Sequence, residues 1–88
     1  MILNRAKTAY DVAQILALGG HKGKPGNLWS CPVANYLRKQ YPTATDVSVS
    51  KTYGEIWWHR EFLRIPLSPA VREFIHNFDR WEYPELVG

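Results

Sequence analysis

Hydrophobic residues recur along this chain with two different periods, and the change of period divides it. In NRAKTAYDVAQILALGG, Ala9, Val12, Ala13 and Leu16 follow the i, i+3, i+4, i+7 spacing of one helix face, and Ile15 and Leu18 widen the stripe. Asn4 is placed to cap the start and Gly19–Gly20 to supply a left-handed stop. The spacing therefore predicts a helix over about 5–18. In CPVANYLRKQYP a second apolar face comprises Val33, Tyr36, Leu37 and Tyr41. Pro32 suits a first helical position, which leaves Cys31 or Ser30 as the cap, and Pro42 stops the helix, so the second helix is expected over about 32–41.

From Asp46 the period falls to two. Val47 and Val49 alternate with Ser48 and Ser50, and EIWWHR and EFLRIPL follow, rich in β-branched and aromatic residues. Two or three antiparallel strands are expected between about 46 and 67. Gly54 is read as the first turn and His59–Glu61 as the second. Alternation puts Val47, Val49, Ile56, Trp58, Leu63 and Ile65 on the core face, and Trp57, His59, Phe62 and Arg64 on the other. The period then returns to 3.6 in LSPAVREFIHNFDRW. Ser68 caps, Pro69 opens, and Val71, Phe74, Ile75 and Phe78 share one face of a helix over about 69–80. Trp81, Tyr83 and Leu86 of the tail are expected to fold back onto the helices. The fold class is α+β, a single small domain over 1–88 in the order α-α-β-β-(β)-α, with a short antiparallel sheet on three helices.

Composition narrows the function classes. Eighty-eight residues make a modest core, and aromatic residues are 14% of them, with four Trp. Some rings are therefore expected at the surface. A single cysteine excludes an internal disulfide, and no apolar run reaches the roughly 18–20 residues of a membrane span. A cytoplasmic protein is expected. Residues 1–40 carry six Lys/Arg against one acid, whereas 41–88 carry five against seven, so the net charge of +3 is concentrated in the first half. That half favours an acidic partner or forms a solvated surface.

Three stretches bear on chemistry. GGHKGKPGNLWSCP, residues 19–32, has the glycines and the Lys22 and Lys24 charges of an anion cradle. It fails the phosphate-loop pattern, because Leu18 stands where the first glycine belongs and Pro25 where Ser or Thr belongs. The competing reading is a connection anchored by Leu28 and Trp29. Cys31 at a helix start near two lysines invites a lowered thiol pKa, with His21, His59 or His76 as a base, but the spacing demands none of this. A buried, inert thiol is expected. One Cys and three scattered His match no zinc spacing, so no metal and no cofactor are expected. TYGEIWWHREFLR brings Tyr53, Trp57, His59, Arg60, Phe62 and Arg64 within one short stretch, the residue types that dominate protein interfaces. A short exposed sheet edge there would also invite strand addition or pairing with a second copy.

The segments CPVANYLRKQ, VSVS and IPLSPAVREFIHNFDRWEYPELV resemble a group of small proteins of about this length from actinobacteria and their phages. That resemblance implies a bacterial or phage setting and supplies no substrate and no catalytic residue. The leading expectation is a non-enzymatic factor that binds a protein through its aromatic sheet surface. The alternative is a nucleic-acid or nucleotide binder using Lys22, Lys24, Arg38 and Lys39.

Overall fold

Each helix begins where a side chain can take up an orphan amide. In the computed structural model, which describes residues 1–88, Thr8 caps α1 (Ala9–Leu18), Cys31 caps α2 (Pro32–Gln40) and Ser68 caps α3 (Pro69–Asp79). The first helix starts later than its spacing suggests. Residues Ile2–Arg5 form a separate 3-10 turn, and Asn4 caps nothing. Its amide instead donates to the Pro66 carbonyl at 2.9 Å and its oxygen accepts from the Ser68 amide at 2.8 Å, tying the N-terminus to the start of α3. Tyr41, turned out of the helical conformation before Pro42 (φ −124°, ψ 70°), ends α2.

The sheet is an antiparallel meander of β1 (Asp46–Val49), β2 (Tyr53–Trp57) and β3 (Phe62–Pro66), in that spatial order. Val47 pairs with Ile56 and Ile56 with Leu63, while Trp57 lies between Asp46 and Phe62. The first turn falls at 50–52, where the Ser50 hydroxyl accepts from the amides of Thr52 and Tyr53. Gly54 is not that turn. It lies buried inside β2, where a Cβ would approach Leu37 Cδ1 to 2.8 Å, so its missing side chain admits α2 onto the sheet.

One hydrophobic core joins the helices to the sheet, with Leu16, Leu37, Ile56, Phe74 and Phe78 fully buried. Helix α2 lies on β1 and β2, and α1 packs against α3. No helix packs substantially on β3. Its inner-face Leu63 is 39% exposed and Ile65 is only half-buried, so the expected core face is complete on β1 and β2 and unfinished on β3. Trp58 sits at the margin of the core, its indole donating to the Thr43 hydroxyl at 3.0 Å.

The tail returns in part. Leu86 is buried and the Tyr83 ring lies 5.1 Å from that of Phe74. Trp81 does not follow. It is 62% exposed and adopts φ +64°, because it fills the left-handed position that closes α3. The Trp81 amide bonds the Phe78 carbonyl and the Glu82 amide the Asn77 carbonyl, the paired bonds of a Schellman cap. Leu18, at the end of α1, is likewise exposed rather than part of the core stripe.

Candidate functional site

The residues singled out by the sequence separate into three places. Tyr53, Trp57, Phe62 and Arg64 meet on the outer face of the sheet, away from the helices. Strand alternation sets this, since the odd positions of β2 and the even positions of β3 point outward in the observed register. The Trp57 and Phe62 rings are 4.3 Å apart, with planes tilted by 40°. The Arg64 guanidinium lies 4.9 Å from the Tyr53 ring centre and 5.6 Å from that of Phe62. Its Nη2 also bonds Glu55 Oε2 at 3.3 Å. That exposed ion pair contributes at most about 1 kcal/mol to stability. Together with the two rings, it holds Arg64 flat on the sheet. The result is a connected stripe, Tyr53–Arg64–Phe62–Trp57, with Trp57 42% and Phe62 45% exposed.

His59 and Arg60 are elsewhere. The Trp58 amide donates to the Glu61 carbonyl at 2.9 Å, which ends strand alternation and puts both residues in the β2–β3 turn. There they line a shallow depression with Thr43, Thr45, Trp58 and Glu61. Arg60 and His59 therefore border the stripe in sequence without belonging to it.

The basic set of the first half is divided by its own hydrogen bonds. Arg38, itself exposed, donates to the Trp29 carbonyl, to Asn35 Oδ1 and, at 3.3 Å, to the Val47 carbonyl, so its guanidinium is committed to acceptors of its own chain. Lys22, Lys24 and Lys39 are exposed. Lys39 is close enough to His21 to add to the effect of burial, which is the larger cause, in lowering the imidazole pKa below 6.5.

The loop between α1 and α2 uses its amides on itself and its neighbours. Gly23 donates to the Leu86 carbonyl, Lys24 to Ser30, and Gly26 to the Asp79 carboxylate at 2.8 Å. Trp29 and Ser30 both donate to Asn27 Oδ1. A Cβ on Gly23 would overlap the Ser30 carbonyl oxygen, so the chain crosses itself there at a distance only glycine permits. The expected anchors, Leu28 and Trp29, are exposed. Backbone crossing and polar side chains fix this loop, and its apolar residues do not. Asn27, in a Gly- and Pro-rich loop, is of the residue type that bonds its own backbone two residues on, whereas Asn35 carries no such local signal because its partners lie in the loop before α2.

Cys31 lies buried at the start of α2. Its sulfur accepts from the Ala34 amide at 3.4 Å. Helix amides favour the thiolate, but desolvation outweighs them and pushes the thiol pKa above 9.0. A cleft of about 180 Å³ touches it, lined also by Gly26, Leu28, Val49, Ile75 and Asp79. That is below the roughly 300 Å³ where ligand pockets begin. Its carboxylate, Asp79, already receives the Gly26 amide. No group of three His, Cys, Asp or Glu side chains is placed to hold a metal ion, and no helix is long and apolar enough to cross a membrane. No family model, no curated protein and no solved structure matches the chain.

Proposed function

We propose that this protein is a non-enzymatic interaction factor that binds a partner protein through the outer face of its sheet. The observation that carries the reading is the ordered stripe of Tyr53, Arg64, Phe62 and Trp57. Exposed aromatics cost solubility, and here four interface-prone side chains lie together with their mutual geometry already fixed. Binding then orders few side chains, which removes part of the entropic cost of association. In the bacterial or phage setting implied by the resemblance, such a surface acts by occupying a partner. The nucleic-acid alternative has weaker support, because Arg38 and most of the loop amides already have acceptors within the chain.

Affinity capture from bacterial lysate, with and without nuclease, tests this reading. The protein captured by the wild type should survive nuclease, and Trp57→Ala should weaken its binding by about 2 kcal/mol or more. Lys22→Ala combined with Lys24→Ala should leave it nearly unchanged. Capture that nuclease abolishes, or that the lysine pair controls while Trp57→Ala is silent, would reverse the assignment.

A further inference from the structure

The third strand has a free edge as well as an exposed outer face. The amides of Leu67 and Trp58 bond Thr52 and Glu61 across the β2–β3 ladder, so residues 61, 63, 65 and 67 turn their backbone groups towards β2. Phe62, Arg64 and Pro66 therefore turn theirs outward. Pro66 has no N–H, and Asn4 already occupies its carbonyl. The open portion of the edge is Phe62 to Arg64, centred on Leu63.

We infer that this edge pairs antiparallel with the same edge of a second copy, with Leu63 on the two-fold axis. The register follows from the side chains. Outward backbone groups must face one another, which leaves three symmetric choices centred within this open portion. With Arg64 on the axis, two guanidiniums oppose each other and Phe62 meets a proline that cannot donate. With Phe62 on the axis, Arg64 opposes Arg60 of the second copy. With Leu63 on the axis, Phe62 opposes Arg64 of the second copy, and each such pair exchanges both backbone bonds. Each Arg64 then gains a third aromatic neighbour, beside Tyr53 and Phe62 of its own chain. The two Leu63 side chains, 39% exposed in the single chain, cover each other where no helix does. The product is one continuous sheet whose outer face carries two aromatic stripes side by side. The use of that doubled stripe rests on the proposed partner binding, but the pairing does not.

Pure protein tests the pairing without any partner. In sedimentation velocity, dimer should grow with concentration, and Leu63→Lys, which sets like charges face to face, should weaken it on the order of tenfold or more. Circular dichroism of that variant should match the wild type, since the site is exposed. Across the axis, a non-hydrogen-bonded pair has Cα atoms about 4.5 Å apart, within the disulfide range of about 4.4–6.8 Å. Leu63→Cys should therefore form a disulfide-linked dimer under mild oxidation much faster than Tyr10→Cys on exposed α1. The buried thiol of Cys31 does not compete. A wild type that stays monomeric at millimolar concentration, or equal cross-linking at the two positions, would overturn the pairing while leaving partner capture by the outer face intact.

Discussion

The two edges of the sheet receive opposite treatment. At the β1 edge, the Leu28 carbonyl takes the Val49 amide at 2.8 Å, Arg38 takes the Val47 carbonyl, and Asp46 Oδ1 takes the Val47 amide. At the β3 edge only Pro66 is covered, by Asn4. The faces divide in the same way, since α2 lies over β1 and β2 and no helix finishes β3. Edges left open are an aggregation hazard that proteins ordinarily blunt with charge, proline or covering chain. This chain has the means to cover an edge, and at β1 it applies a loop carbonyl, a helix arginine and a strand carboxylate. The proposed interaction surface on the β3 side rests on this contrast.

The largest expected effect breaks the closed side. Gly23→Ala pushes a methyl into the Ser30 carbonyl and should cost about 3 kcal/mol or more, read as a fall in the urea midpoint. Arg38→Ala removes donors to Trp29, Asn35 and Val47 from the same side. It should cost about 2 kcal/mol, and Arg38→Lys should not restore it, because a single ammonium cannot span those acceptors. On the open side, Phe62→Ala should cost only about 1 kcal/mol of stability, mostly the Trp57 ring contact, while weakening partner capture far more. A denaturation series on the three alanine variants separates the sides directly.

Trp81 sharpens the comparison from outside the sheet. A left-handed tryptophan at a helix cap is strained, so Trp81→Gly should stabilise the protein by about 1 kcal/mol, seen as a raised Tm. The smallest effect comes with pH. His21 titrates below 6.5 in the folded chain, so the unfolded chain binds its proton first as pH falls. Stability from this group is therefore full above 6.5 and declines as pH drops through the folded value, and His21→Gln should flatten that decline.

Much of this architecture is legible in the hydrophobic periods. The period-two stretch yields the sheet, and the 3.6 stripes of Val12, Leu16, Val33, Leu37, Val71, Phe74 and Phe78 yield the buried helix faces. Alternation also places Trp57, Phe62 and Arg64 on the outer face. The misses share a cause, which is that local pattern does not know what lies opposite. Leu63 and Ile65 have the right parity for the core, but no helix packs substantially on β3, so Leu63 stays exposed and Ile65 only half-buried against the core. His59 has the right parity for the outer face, but the turn begins one residue earlier. Gly54 looks like a turn because its demand comes from Leu37 on another element. Asn4 looks like a cap because its partners, Pro66 and Ser68, are far along the chain. Arg38 is at the surface as its charge suggests, but its bonds to the Trp29 and Val47 carbonyls carry no mark in the sequence.

Amide hydrogen exchange in dilute protein tests the asymmetry of the two edges most directly. A covered edge protects its outward amides to the level of local opening, and an open edge leaves them to solvent. The Val49 amide, held by Leu28, should exchange slowly, alongside that of Leu67 in the β2–β3 ladder. The amides of Phe62 and Arg64, although within the same sheet, should exchange rapidly. Protection of Phe62 and Arg64 equal to that of Val49 in the monomer, or rapid exchange at Val49, would contradict the account.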